Sequence, residues 1–131
     1  MRKLACIAGL SNGGGVPGDF FESVPRAVGG ATAYVLRHIV HDWDDDKAAA
    51  ILGNCREAMG DESGSRVLCV ESVIEDGNEP GFGKWLDLMM LVIGGKERTE
   101  AQYRELLQRG GLELIRVVPT ASEVSVVEAR A

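Results

Sequence analysis

The sequence predicts an α/β protein in which helices cover a sheet whose last two strands run antiparallel. Two apolar runs, at residues 31–40 and 66–73, are rich in branched side chains and are typical of buried strands. Helical patterns alternate with these runs, which favours a layered α/β arrangement. The runs at 112–118 and 124–129 are joined by a loop too short for a parallel crossover, so we expect them to pair antiparallel.

Capping signals delimit the first and third predicted helices. The first is capped by Asp44 or Asp45 and ends at Gly60, with apolar residues at helical spacing between them. The third begins with the capping-box pattern at residues 99–102 and ends at Gly110. Both segments are therefore predicted to be amphipathic helices with one inner face.

Two other segments are also predicted to be helical, from their apolar residues rather than from capping signals. Residues 84–93 are apolar almost all round except for Asp87, so we expect a buried helix that ends at Gly94. Residues 4–10 are consistent with the end of a helix that the glycine-rich stretch at 11–15 breaks.

Composition limits the function classes. The 131 residues suit one domain with 45% hydrophobic and 26% charged residues, and the net charge of −6 argues against nucleic-acid binding. Cys6, Cys55 and Cys69 have unrelated spacings and cannot all pair with one another. Cys55 and Cys69 lie within apolar patterns, which indicates buried reduced thiols in a cytosolic protein. We find no membrane-spanning run and no good signal peptide, so the expected location is cytoplasmic.

Polar residues lie at the carboxyl ends of the first two predicted strands, where ligands of α/β sheets bind. His41 and Asp42 follow the first strand, Glu71 ends the second, and Glu97 lies on a distant loop. A histidine near neutral pH works as a base when a carboxylate fixes its tautomer. A histidine that only bonds a loop carbonyl remains the alternative. Glu71 favours the first interpretation, since a buried carboxylate needs a partner.

A metal site is not predicted. The acidic series beginning at Asp42 resembles a calcium loop, but Lys47 replaces the required glycine and Gly53 the required glutamate. His38 and His41, three apart in a regular strand, would point to opposite faces. A phosphate or cofactor loop at the triple glycine is also disfavoured, because such a loop needs a strand before it and a helix after it, whereas Val16-Pro17-Gly18-Asp19 follows.

Five ordered blocks resemble the C-terminal catalytic part of S-adenosylmethionine-dependent O-methyltransferases. The specific group includes caffeic acid, hydroxyindole and many bacterial small-molecule O-methyltransferases. The blocks span nearly the whole chain, and no single one would suffice. They are Gly18–Pro25 (GDFFESVP), Leu36–Trp43 (LRHIVHDW), Asn54–Met59 (NCREAM), Leu86–Leu91 (LDLMML) and Gly94–Thr99 (GGKERT).

The resemblance implies the C-terminal part of a Rossmann-like class I methyltransferase domain, with a parallel sheet and antiparallel last strands. It also implies that His41 is the general base that deprotonates the acceptor hydroxyl, and that Glu71 and Glu97 orient it. The acceptor would be a small aromatic or polyketide-like molecule, and neither nucleic acid nor membrane would be a partner.

The same resemblance implies a cofactor-binding site and a set of substrate-binding residues. The S-adenosylmethionine contacts would be Asp19, Phe20, Arg37 and Trp43. The substrate contacts would be Asp42 and Met90.

The family's glycine-rich cofactor loop, ribose-binding acid and N-terminal dimerisation domain have no counterpart in these blocks. We therefore expect residues 1–131 to form a partial catalytic domain, a fragment that binds S-adenosylmethionine weakly when isolated. Family members form homodimers, but the segment used for that purpose is not among the blocks. The alternative function is a non-catalytic remnant or an interaction module of that family.

Overall fold

The computed structural model describes residues 18–26 and 29–131. The predicted helix end at 4–10, the glycine turn at 13–15 and Cys6 lie outside the described residues.

A four-stranded sheet forms the centre of the molecule. Its strands are β1 (Ala33–Arg37), β2 (Arg66–Glu71), β5 (Glu113–Pro119) and β6 (Ser125–Arg130), in the order β1-β2-β6-β5. β1 pairs parallel with β2, whereas β6 pairs antiparallel with both β2 and β5. The predicted mixed sheet with antiparallel last strands is confirmed, and β6 lies in its interior.

A second, very short pairing was not predicted. β3 (Val73–Ile74) runs parallel to β4 (Arg98–Thr99). Two-residue strands leave no periodic signal in a sequence, because alternation needs a longer run. The pairing joins the chain after β2 to the loop that carries Glu97. It therefore brings Glu71, at the end of β2, and Glu97 to one end of the sheet.

Three α-helices and one 3-10 turn complete the fold: α1 (Asp45–Met59), α2 (Phe82–Ile93), α3 (Glu100–Arg109) and the turn Val40–Asp42. The Asp44 carboxylate accepts the Lys47 backbone N–H at 2.9 Å and so caps α1. The capping box at the start of α3 forms as predicted, with reciprocal side-chain to backbone bonds between Thr99 and Gln102.

The core lies between the sheet and the helices α1 and α3. Tyr34, Leu52, Val67 and Leu107 are among its fully buried members. Cys55 and Cys69 are also buried there as free thiols, and burial raises the pKa of Cys55 to about 12. None of the described helices is both long and apolar enough to cross a membrane.

The prediction that the second helix is buried is wrong. No residue of α2 is buried, and the exposed fractions of Trp85 and Val92 are 70% and 85%. The helix meets the rest of the protein through the side that carries Asp87, whose carboxylate accepts the Glu97 backbone N–H at 2.9 Å, and most of its apolar side chains face outward.

Candidate active site

The site is built around His41, which lies in the 3-10 turn that follows β1 and is 8% exposed. Its Nδ1 lies 2.7 Å from Oε1 of Glu97, whose side chain is also buried. A neutral imidazole whose Nδ1–H donates to a carboxylate presents its other nitrogen, Nε2, as the proton acceptor. That Nε2 lies 3.4 Å from Oδ1 of Asp42. The arrangement can therefore accept a proton at a defined atom.

Glu71 lies at the end of β2 and binds the backbone at the start of the same 3-10 turn. Its Oε1 accepts the backbone N–H groups of Ile39 and Val40 at 3.0 and 2.9 Å, and its Oε2 lies 3.8 Å from His41 Nδ1. Burial raises the pKa of Glu71 to about 7 against the opposing effects of His41 and of these hydrogen bonds. The parallel pairing of β1 with β2 explains why both carboxyl ends meet here.

Glu97 is held in place by two backbone N–H groups, its own and that of Lys96. Its own N–H bonds Asp87, and the N–H of Lys96 donates to the His41 carbonyl at 2.7 Å. Gly95 is buried against the same carbonyl, so a side chain there would overlap it. Sequence reasoning did not assign Asp87 or Gly95. Their signals were present, as the single acid of an apolar helix and as a glycine inside a quoted block.

An aromatic cluster lies beside the turn. Phe20 is buried and meets Trp43 edge to face at 6.4 Å between ring centres, and Phe21 does so at 4.8 Å. The Asp19 carboxylate accepts the Phe21 N–H and fixes this segment as a turn, which Asn54 ties to α1 through two backbone carbonyls. Asp19, Phe20 and Trp43 are thus brought to one flank of the site.

Arg37 and Met90 lie at the margins of the candidate site. Arg37 is exposed at the carboxyl end of β1, and Met90 is half-buried on α2 with its carbonyl accepting the Gly95 N–H at 2.8 Å. The cofactor and substrate roles of these two residues remain predictions.

The expectation that His38 and His41 point to opposite faces is wrong. β1 ends at Arg37, and His38 has a left-handed φ of 50°, which brings its ring to 5.3 Å from the ring of His41. His38 Nδ1 lies 3.9 Å from Glu71 Oε2. Desolvation, followed by the charges of His41 and Arg37, lowers the pKa of His38, so the neutral form is favoured.

The side chains of His38, His41 and Glu71 place their potential ligand atoms within 4.8 Å of one another, close enough to hold a cation. Of the two His41 nitrogens, Nδ1 already contacts Glu97 Oε1 at 2.7 Å. The prediction that no metal is used stays a prediction.

Comparison with known proteins identifies the family. The model of the O-methyltransferase domain matches residues 14–113 of the chain. The chain belongs to this O-methyltransferase family. The phenazine O-methyltransferase PhzM of Lysobacter antibioticus is 48% identical over 118 residues, which is 89% of this chain and 33% of that protein. The chain thus spans about a third of the length of the curated relatives it matches.

Solved structures of the family share the fold. The crystal structure of LaPhzM superimposes with a TM-score of 0.81 at 49% identity, covering 89% of this chain and 34% of that one. NcsB1, an O-methyltransferase of neocarzinostatin biosynthesis, gives a TM-score of 0.73 at 42% identity over 88% of this chain and 32% of its own. The NcsB1 structure holds S-adenosylmethionine and 2-hydroxy-5-methyl naphthoic acid. The class I methyltransferase fold inferred from the five blocks is confirmed.

Proposed function

We propose that this chain carries the acid–base site of an S-adenosylmethionine-dependent O-methyltransferase that acts on a hydroxyl of a small aromatic or polyketide-like molecule. The observation that carries the proposal is the 2.7 Å contact between His41 Nδ1 and buried Glu97 Oε1. It leaves Nε2 of a neutral imidazole to accept the hydroxyl proton. We further place the protein in the cytoplasm, where buried free thiols such as Cys55 and Cys69 persist.

The chemistry needs a base because a phenol, with a pKa near 10, is a poor nucleophile at neutral pH. S-adenosylmethionine, when bound, supplies an already activated methyl group. His41 takes the proton, and Glu97 stabilises the resulting imidazolium through Nδ1. Asp42, beside Nε2, contacts the acceptor, and Met90 is the proposed lining residue on α2.

The aromatic cluster suits the flat ring system of the cofactor. Trp43 Nε1 is buried and has no hydrogen-bond partner among the described residues. Phe20 offers an edge against the same indole, and Asp19 supplies a carboxylate. Arg37, exposed at the end of β1, completes the proposed cofactor-binding set.

The test is a chimera of the Lysobacter phenazine O-methyltransferase in which residues 18–131 of this chain replace the aligned segment. We expect methyl transfer, and we expect His41→Gln to lower kcat by about a hundredfold or more, the usual contribution of a positioned base. Affinity for S-adenosylmethionine, measured by calorimetry, should stay within about twofold because the substitution leaves the aromatic cluster intact.

His38→Gln is the matched control, since it makes the same exchange three residues earlier in the chain and should keep kcat within about threefold. If His41→Gln also stays within threefold, His41 is not the base. A folded chimera that binds S-adenosylmethionine without methyl transfer would contradict the proposed activity.

The alternative is an interaction role, and the exposed apolar surface of α2 is the observation that favours it. Leu88, Met89, Val92 and Ile93 are each more than half exposed, and exposed patches of this kind mark contact surfaces. Light scattering of the 131-residue chain decides between a monomer and an assembly. Under this alternative, Val92→Ser would dissociate the assembly, whereas His41→Gln would leave it unchanged.

A further inference from the structure

Arg98 is the largest fully buried side chain of the described residues, with no exposed surface. It lies in β4, directly after Glu97. A buried guanidinium is costly unless its charge and its N–H groups are satisfied. Neither the base nor its two carboxylates accounts for an arginine at this position.

The guanidinium has five N–H donors, and the structure gives it five acceptor contacts. Nε and Nη2 donate to Asp45 Oδ1 at 3.0 and 2.8 Å, and Nη2 also donates to the Trp43 carbonyl at 3.0 Å. Nη1 donates to the carbonyls of Val40 at 3.2 Å and of Lys96 at 3.1 Å. The fork is therefore fully used, and its charge is balanced by Asp45.

The positions of these acceptors matter more than their number. Val40 immediately precedes His41, and Lys96 immediately precedes Glu97, so one nitrogen of Arg98 holds the backbone on both sides of the 2.7 Å contact. The other acceptors lie just after the 3-10 turn and at the start of α1. Arg98 thus joins two segments that are distant in sequence, residues 40–45 and its own loop at residues 96–98.

We propose that Arg98 is a positioning residue that sets the distance between His41 and Glu97. It touches neither reacting atom and acts through the backbone of the two segments that carry them. The inference rests on the proposed function only for its catalytic consequence, since the His41–Glu97 contact itself is measurable without any substrate.

The planar shape of the group is part of the proposal. A lysine at the same place offers three donors from one nitrogen and cannot span the acceptors that the fork reaches from its three nitrogens. Arg98→Lys should therefore keep the charge opposite Asp45 but release at least one of the two segments. Arg98→Met removes the charge as well.

The experiment is nitrogen-edited NMR of histidine in the 131-residue chain. A proton on Nδ1 that bonds a carboxylate at this distance gives a downfield, slowly exchanging resonance. We expect that signal from His41 in the wild type, and its loss in both Arg98→Lys and Arg98→Met. Met59→Ala, a buried change at the far end of α1, is the control that lowers stability without touching the site. It should keep the resonance.

In the chimera, Arg98→Lys should lower kcat at least tenfold, as expected for a misplaced base, with the affinity for S-adenosylmethionine within about twofold. A retained Nδ1 resonance in folded Arg98→Lys, or its absence in the wild type, would overturn the proposal. If Arg98→Met does not fold, the lysine variant alone decides. If the resonance depends on Arg98 while His41→Gln remains active, the proposed function fails and the positioning role stands.

Discussion

Replacing Glu71 by glutamine should change how stability depends on pH, because the carboxyl group is fully buried. Its Oε1 bonds two backbone N–H groups of the 3-10 turn, and its Oε2 has no hydrogen-bond partner among the described residues. Glutamine keeps the accepting oxygen and stays neutral at every pH. Glu71→Gln therefore isolates the cost of ionising this group.

The sign follows from the pKa. Burial raises the pKa of Glu71 from 4.5 to about 7, so the folded protein holds this proton more tightly than the unfolded chain. The contribution of the group to stability is complete below pH 4.5 and is lost as the pH rises through 7. Each pH unit in that window lowers the stabilising contribution of Glu71 by about 1.4 kcal/mol. Between pH 5 and pH 8 the wild type should lose about 2 kcal/mol relative to Glu71→Gln.

Urea unfolding at pH 5, 6, 7 and 8 measures this difference directly. Glu105→Gln, an exposed exchange on α3, is the control and should give a constant difference from the wild type. If the free energies of unfolding of the wild type and of Glu71→Gln stay parallel across the range, Glu71 ionises as freely in the folded protein as in the unfolded chain. The account of its burial would then be refuted.

Two further predictions concern packing. Gly95→Ala should reduce kcat in the chimera about tenfold or more, because a Cβ would overlap the His41 carbonyl and lie 3.3 Å from Asp42 Cα; Gly53→Ala, which meets open space, is the control, and equal activity of the two variants would refute the close approach. Tyr103→Phe should raise the free energy of unfolding by about 1 kcal/mol, because the Tyr103 hydroxyl is buried with no hydrogen-bond partner among the described residues; a loss of stability in urea unfolding would show that this hydroxyl is bonded.

The parts of the fold that sequence predicts correctly are those set by local chemistry. α1 and α3 follow from their caps, and Thr99 and Gln102 form the expected box. α2 ends where predicted but begins two residues earlier, and it is exposed rather than buried. Its contact with the loop through Asp87 and the Glu97 N–H is not encoded by any local pattern.

The site divides in the same way. The parallel pairing of β1 with β2 brings His41 and Glu71 together, as strand-end reasoning predicts. The proximity of His38 was missed because it depends on a single left-handed residue. Arg98 was missed because its role lies in backbone acceptors from two segments, and carbonyl groups are the same for every residue type.

The interior position of β6 has a consequence for how this sheet assembles. β2 and β5 do not pair with each other. Residues 125–130 form the antiparallel neighbour of both strands. Glu71 itself pairs with Ser125. The side of β2 opposite β1 is therefore completed by β6, which follows it only after more than fifty residues of chain. Deleting residues 125–130 would remove the middle of the sheet rather than trim its edge.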